Sequence, residues 1–161
     1  MDTPPALWQA ARAGRIDEVH ALIARGAEVD TSDSNGRTSL CHACIGGHVD
    51  VAKLLMERGG VRIDQVDQDG STALHRACHT GDVTTAETLL KLGAAIDAED
   101  KQGRSPLFIA CERGTDDAAR MLLREGATVD QANNLGWTPL HVACKYGRVD
   151  SAKALLDHGA E

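Results

Sequence analysis

Two cysteines separated by two residues give this sequence its clearest potential for chemistry. Cys41 and Cys44 lie on either side of His42, and two other histidines, His75 and His141, lie close to further cysteines. A C-x-x-C pair at the start of a helix can exchange thiols and disulfides, and cysteine and histidine together can bind zinc. Redox chemistry and a zinc site are therefore the first two kinds of function to consider.

The spacing of the cysteines along the chain favours a structural role instead. One cysteine recurs at steps of 34, 33 and 33 residues, as Cys44, Cys78, Cys111 and Cys144. A free cysteine packs as a small hydrophobic residue, and neighbouring helices lie on the order of 10 Å apart, too far for a disulfide. His75 and His141 share one repeating position, which favours hydrogen bonding between units over metal binding. We predict no metal, no cofactor and no disulfide.

No other group of residues predicts catalysis. Neither a nucleophile with a base and an orienting residue nor a phosphate-binding G-x-x-x-x-G-K pattern is present. Paired acids such as Asp116 and Asp117 suit the start of a helix, because the helix dipole stabilises negative charge there. We therefore predict that the chain is not an enzyme.

The composition limits the classes of function further. The 161 residues are 42% hydrophobic but only 2% aromatic, so the core must be aliphatic and closely packed. A net charge of -7 argues against a general nucleic-acid-binding surface, and no apolar run reaches the roughly 20 residues of a membrane span. The five cysteines, an odd number, agree with a reducing compartment, and we expect a cytoplasmic or nuclear location.

Two series of glycines divide the sequence into units of 33 or 34 residues. The first series consists of Gly36, Gly70, Gly103 and Gly136. The second consists of Gly26, Gly59, Gly93, Gly126 and Gly159. Both series place one extra residue in the stretch 59–64, so the two registers agree. A period of this length indicates stacked supersecondary units that share a continuous core.

Each unit contains signals for two short helices. In the third unit, Thr72 is placed to cap a first helix and Gly81 to end it. Proline suits the first helical position at Pro106 and Pro139. A second, amphipathic helix follows, with apolar residues at Val83, Ala86, Leu89 and Leu90. One such pair of helices cannot bury its leucines alone, so stability must come from stacking.

A six-residue segment carries the resemblance to a known family. Residues 138–143 read Thr-Pro-Leu-His-Val-Ala, and the segments 38–43, 72–77 and 105–110 match this pattern in part. The chain resembles the ankyrin-repeat family, which has this period and a Thr-Pro-Leu-His-x-Ala signature. The resemblance implies one all-α domain over residues 1–161, an ankyrin-repeat α-solenoid of helix-turn-helix units joined by β-hairpin loops. We place the repeats at about 3–32 (similar to an N-terminal cap), 33–66, 67–99, 100–132 and 133–161 (incomplete).

Positions that differ between repeats are the candidates for binding, because positions that recur are needed for packing. Variation is concentrated at the hairpin tips and at the ends of the first helices. The resemblance implies that both line one concave face, which grips partner proteins. The predicted partner-binding residues are Arg37, Arg104, Glu112, Arg113, Leu135, Trp137, Lys145 and Tyr146.

An aromatic cluster is expected within this set. Trp137 and Tyr146 are of the types that dominate interface hot spots, and Arg104 and Arg113 are expected to pair with acidic groups of a partner. An alternative for Trp137 is that it shields the hairpin of its own repeat. Trp8 takes the position of His75 in the first unit, and we expect it to pack within the cap.

Two features of the loops and of the last helix lead to further expectations. The resemblance implies a hydroxylatable asparagine after each second helix, but this sequence has aspartate there, at Asp30, Asp64, Asp97 and Asp130. We therefore do not predict hydroxylation. In the last unit we expect four apolar residues to face outward or to be thinly covered: Val149, Ala152, Leu155 and Leu156. Because repeat arrays need a polar cap, we expect the chain to be a segment of a longer protein.

The sequence therefore predicts a non-catalytic module that binds a partner protein through its concave face. The partner's identity is not given by the sequence, and we expect neither nucleic acid nor membrane insertion. Two alternatives remain: a substrate-recruiting or targeting segment of a larger enzyme or ubiquitin-ligase adaptor, and a self-associating structural spacer. We expect a monomer with weak end-to-end self-association.

Overall fold

The computed structural model describes residues 7–58 and 60–161. Within these residues the chain forms ten helices and no strand, and none of the helices is long and apolar enough to cross a membrane. The start of the first predicted repeat and Gly59 of the second glycine series lie outside the described residues. The helices are α1 (Leu7–Arg12), α2 (Ile16–Ala24), α3 (Ser39–Gly46), α4 (Val49–Glu57), α5 (Ala73–Thr80), α6 (Val83–Lys91), α7 (Pro106–Arg113), α8 (Asp116–Arg124), α9 (Pro139–Lys145) and α10 (Val149–Asp157).

The helices are arranged in two layers. In the inner layer, α1, α3, α5, α7 and α9 pack side by side in chain order, and in the outer layer α2, α4, α6, α8 and α10 do the same. The core between the layers is aliphatic, and its largest fully buried side chains include Leu40, Leu55, Leu74, Leu89, Leu107, Leu122 and Leu155. The predicted all-helical repeat solenoid is confirmed. The five helix pairs lie within the five predicted repeats, whose bounds stay a prediction.

The inner helices begin at the caps that the sequence predicts. A side-chain oxygen accepts a hydrogen bond from the backbone N–H three residues later at Thr38, Thr72, Ser105 and Thr138. At Thr72 the cap is reciprocal, since its backbone N–H donates to Nδ1 of His75 at 3.2 Å. The Nε2–H of the same ring donates to the carbonyl of Arg104 at 2.9 Å, so His75 links its helix to the next repeat.

A tight turn precedes each inner helix from α3 to α9. At the start of the third repeat, a carboxylate oxygen of Asp67 accepts the backbone N–H groups of Asp69 at 2.9 Å and Ser71 at 3.0 Å. The same arrangement recurs at Asp33, Asp100 and Asn133. These hairpins are very short: in the described part of the chain, only Ser32 and Thr38 form a β-bridge.

Backbone hydrogen bonds join each hairpin to the next. In each case a backbone N–H of the later hairpin donates to a backbone carbonyl of the earlier one, at 2.8 to 2.9 Å. The pairs are Gln68 with Asn35, Lys101 with Asp69, and Asn134 with Gln102. Gly70 lies beside one of these bonds with φ of +76°, and a Cβ there would come within 2.7 Å of the Lys101 nitrogen. Close stacking of the hairpins therefore requires glycine at this position.

A second set of hydrogen bonds joins the loops that follow the outer helices. The Asp64 carboxylate accepts the backbone N–H of Ala95 at 3.0 Å, and the Asp97 carboxylate accepts that of Thr128 at 2.9 Å. Equivalent bonds join Asp30 to Arg62 and Asp130 to Glu161. Aspartate thus has a structural role at the position where the resemblance implies asparagine, while the absence of hydroxylation stays a prediction.

The last repeat departs from two expectations. Leu155 is fully buried in the core, so the expectation that it is exposed or thinly covered is wrong, whereas Val149 and Leu156 are 60% and 57% exposed. Cys144 is exposed, although its register predicts burial like that of Cys44, Cys78 and Cys111. The reason is that no described helix pair follows α10 to cover it.

Candidate functional site

The cysteines that suggest redox chemistry lie in the core. All five are free, and Cys41 and Cys44 are almost completely buried. Burial raises the pKa of the Cys44 thiol, and it raises the pKa of Cys111 to about 12. Because the thiolate is the reactive form, these buried cysteines are poor nucleophiles at neutral pH. Among the residues described, no group of three or more His, Cys, Asp or Glu side chains is placed to hold a metal ion.

A buried carboxylate at the start of the second hairpin is neutralised by arginine. The side chain of Asp67 is 1% exposed and pairs with Nη2 of Arg76, and Nε of Arg37 lies 3.6 Å from the same carboxylate. Burial alone would raise the pKa of Asp67, but the hydrogen bonds from Arg76 and from the backbone of Ser71 outweigh it, so the pKa is lowered. Arg37, a predicted binding residue, is therefore partly committed to its own chain.

The residue at the equivalent position of the other hairpins differs according to the side chains near it. Asp33 pairs with Nε2 of His42 at 2.9 Å, and Asp100 pairs with Nη2 of Arg104 at 2.7 Å. In the last hairpin the residue is Asn133, which makes the same two backbone hydrogen bonds without carrying a charge. The last hairpin therefore needs no internal cation, and its tip is apolar instead.

A groove of about 240 Å³ lies where the last two hairpins meet the inner layer. Six of the eight predicted binding residues line it: Arg104, Glu112, Leu135, Trp137, Lys145 and Tyr146. Two do not: Arg37 lies in the first hairpin, and Arg113 lies at the exposed end of α7. The structure thus brings together six of the seven predicted residues of the fourth and fifth repeats, all except Arg113, and their part in binding stays a prediction.

Exposed apolar side chains form one side of this groove. Leu135 is 82% exposed, Tyr146 47% and Trp137 37%. The Nζ atom of Lys145 lies 4.7 Å from the ring centroid of Trp137 and 5.4 Å from that of Tyr146. Both rings attract the ammonium group through cation–π contacts, which hold the lysine side chain in place. Trp137 also packs against His141, with ring centroids 6.1 Å apart, yet more than a third of its surface remains exposed to solvent.

Arg104 is already paired within its own chain, and its pairing with acidic groups of a partner stays a prediction. Its Nε donates to Asp100 at 2.9 Å, and its Nη1 donates to Glu112 at 3.2 Å. Both the arginine and Glu112 are therefore engaged within the chain. Arg113, by contrast, is exposed and has no carboxylate partner among the residues described.

Four further residues line the groove without being predicted as binding residues: Gln102, Phe108, Asn133 and Val142. Phe108 is 3% exposed and takes the position of the signature histidine, so its departure from the family pattern is the signal that marks it. Asn133 carries a similar signal, because the three earlier hairpins have aspartate at that position. At the other end of the chain, Trp8 stacks on His42 with ring centroids 5.0 Å apart, as expected for a packing residue.

Comparison with known proteins agrees with this architecture. A family model described as ankyrin repeats (3 copies) matches residues 7–100 and 92–161. A protein of Schizosaccharomyces pombe described as ankyrin repeat-containing is 42% identical over 58 residues, which are 36% of this chain and 28% of the relative. The match therefore covers less than a third of that relative.

Proposed function

Because the chain belongs to the ankyrin-repeat family, we propose that it binds a partner protein through the groove between its last two hairpins. Ankyrin repeats are generally protein–protein interaction modules. The observation that carries the proposal is the gathering of Leu135, Trp137 and Tyr146 on one side of a groove, all three partly or largely exposed. Aromatic residues of this kind contribute most of the binding energy of many interfaces.

Rigidity supports the same function. The groove is built from helices and from hairpins that are hydrogen-bonded to one another, so it needs little ordering when a partner binds. The proposed role is non-catalytic, since the thiols with altered pKa are buried and the two carboxylates nearest the groove, Asp100 and Glu112, are both held by Arg104.

The experiment that tests the proposal compares partner capture by two matched double variants. Replacing Trp137 and Tyr146 together with alanine should weaken binding of a captured partner by about 2 kcal/mol or more, a roughly 30-fold change in Kd. The control replaces Leu92 and Val66 with alanine, because both are exposed apolar residues elsewhere on the surface.

Captured proteins would be identified by mass spectrometry, and the affinity of each would be measured by calorimetry with the purified chain. Circular dichroism would check that both variants keep their helicity. Equal affinity of the wild type and the Trp137/Tyr146 variant would place the binding surface elsewhere.

One observation favours a second candidate, self-association through the end of the stack. Val149 and Leu156 are exposed, and they line a shallow apolar depression of about 310 Å³ together with Cys144. In the earlier repeats the cysteine at this position is covered by the next repeat. A second copy of the chain could cover this depression, and the chain would then act as a self-associating structural spacer.

A further inference from the structure

Charge is unevenly distributed between the face that carries the groove and the rest of the chain. The hairpins and inner helices of the last four repeats, here called the hairpin face, comprise residues 33–46, 67–80, 100–113 and 133–146. They contain six lysine and arginine residues and five carboxylates, a net charge of +1, whereas the whole chain carries -7. Within this face, the last two segments have a net charge of +2 and the first two of -1.

The carboxylates of the hairpin face are all engaged within the chain. Asp33 pairs with His42, and Asp67 and Asp69 both pair with Arg76. Asp100 and Glu112 are both bound by Arg104. Every acidic side chain on this face thus has an ion-pair or hydrogen-bond partner within the chain.

On the hairpin face, the basic side chains without a carboxylate partner lie in the fourth and fifth repeats, the two repeats that form the groove. In the part of the chain that the structure describes, Lys101, Arg113 and Lys145 have no carboxylate within 4.0 Å. All three belong to the fourth and fifth repeats, and Lys145 is held between the rings of Trp137 and Tyr146. The charge that this surface offers to a partner is therefore positive.

A neighbouring histidine is close enough to the same basic side chains to be affected by them. His79, at the end of α5, has a lowered pKa because of burial and because of the positive charges of Arg113, Arg76 and Arg104, which the negative charge of Glu112 only partly offsets. Arg113 and Lys145, which have no carboxylate partner, lie at the ends of the neighbouring inner helices α7 and α9.

We infer that the groove, together with the adjoining end of α7, recognises an acidic peptide segment with an apolar anchor residue. The aspartates and glutamates would face Lys145 in the groove and Arg113 at the end of α7, and the anchor would contact Leu135 and Trp137. This inference rests on the proposed function and specifies the chemistry of the partner. Lys145 is restrained by two aromatic rings before binding, so a carboxylate can meet it without fixing a mobile side chain. The flanking apolar side chains exclude water from this contact and strengthen it.

The test uses a display library of random dodecapeptides selected on the immobilised full chain. We expect the selected peptides to be enriched in aspartate and glutamate on both sides of an apolar residue. Charge reversal at Lys145→Glu with Arg113→Glu should weaken the best synthetic peptide at least about tenfold, because like charges repel across an interface. The control, Lys53→Glu with Lys91→Glu, makes the same change in net charge on exposed positions of the outer layer and should retain binding.

The possible outcomes separate this inference from the proposed function. If selected peptides lack acidic enrichment but lose affinity when Trp137 and Tyr146 become alanine, the groove binds peptides and the acidic specificity is wrong. If the peptides bind that variant as well as the wild type, the groove itself is not the site. Failure to select any peptide would also overturn the inference, and so would equal weakening of binding by the two charge-reversal variants. Displacement of the peptide by a dodecamer of uridine would overturn it as well, because the site would then bind polyanions in general.

Salt dependence gives an independent measurement. The affinity of the selected peptide should fall as the NaCl concentration rises from about 0.05 to 0.5 M, because the basic groups are near the surface and are screened by ions. An affinity that stays constant over this range would contradict recognition by charge.

Discussion

A single position at the start of each hairpin shows how the sequence adapts one structural task to different surroundings. Aspartate occupies it where a basic side chain is within reach, as for Asp67 with Arg76, and asparagine occupies it in the last hairpin. Either side chain can accept the two backbone N–H groups that close the turn. A buried carboxylate, however, also needs a counter-charge or a further hydrogen-bond donor. Asp67 and Asp100 have an arginine as this partner, and Asp33 has the ring of His42.

The buried histidine His75 leads to a prediction about the pH dependence of stability. Burial is the main reason why its pKa is lowered, and the hydrogen bond to the Arg104 carbonyl only partly opposes this effect. A pKa below the unfolded value of about 6.5 means that the native state resists protonation. The contribution of this imidazole to stability is therefore complete above about pH 6.5 and is lost as the pH falls through the lower native pKa.

We expect His75→Gln to be less stable than the wild type at neutral pH, and to lose less stability between about pH 7.5 and 5.5. The measurement is urea denaturation at both pH values, followed by circular dichroism. His141→Gln, in the same register but on the exposed last repeat, controls for the loss of the capping imidazole. Equal pH dependence of the wild type and His75→Gln would show that this residue does not carry the effect.

At the scale of the elements, the hairpins depend on their neighbours as much as on their own sequence. Gly70 and Gly136 have almost the same φ, +76° and +78°, and occupy the same place in their turns. They differ only in surroundings: a Cβ on Gly70 would meet the backbone of the next hairpin, whereas a Cβ on Gly136 would meet nothing within 4 Å. This pair therefore separates the cost of backbone strain from the cost of stacking.

We expect Gly136→Ala to lower the free energy of unfolding by about 1 kcal/mol, which reflects the left-handed backbone alone. Gly70→Ala should cost about 1 to 3 kcal/mol more, because the added methyl group forces the hairpins apart. Denaturant unfolding of the two variants gives the difference directly. Equal destabilisation of the two variants would mean that the neighbouring hairpin shifts to accept the methyl group with no further loss of free energy of unfolding.

The helices and their caps are predictable from the sequence because the signals are local and recur in each repeat. The first helices begin and end at the predicted residues: Thr72 caps the start of α5, Gly81 ends it, and Pro106 begins α7. These roles do not depend on the neighbouring repeats. Burial in the last repeat is less predictable: the exposure of Cys144 and the burial of Leu155 depend on which neighbours are present.

The candidate site is predictable in its location but not in its pairing. Differences between repeats point to Trp137, Lys145 and Tyr146, which do line one groove. The capture of Arg104 by Asp100 and Glu112 is not visible in the sequence, because it depends on how the hairpin folds back over the helix. Such contacts follow from side-chain geometry, which a repeating pattern does not specify.

At the scale of the whole molecule, the last repeat leaves apolar side chains uncovered. Burial of apolar surface contributes roughly 25 cal/mol per Å², so the exposed Val149 and Leu156 favour weak association of two chains through this end. We expect the sedimentation coefficient of the wild type to rise with concentration. The double variant Val149→Lys with Leu156→Glu should keep a constant value.

The control for this experiment is Ile16→Lys with Val66→Glu, which introduces the same two residue types at exposed apolar positions in other repeats. It should sediment like the wild type. A wild-type coefficient that is independent of concentration would exclude self-association through this end.

The hydrogen bonds between successive hairpins hold the repeats at a fixed spacing, and this spacing limits which peptides could bind along the stack. Neighbouring inner helices pack about 8 to 10 Å apart, and an extended peptide advances about 3.3 Å per residue. A segment that runs along the stack therefore reaches a new repeat at about every third residue. Arg113 and Tyr146 occupy the same place in consecutive repeats, so two peptides of identical composition but different spacing of their acidic and apolar residues would be distinguished.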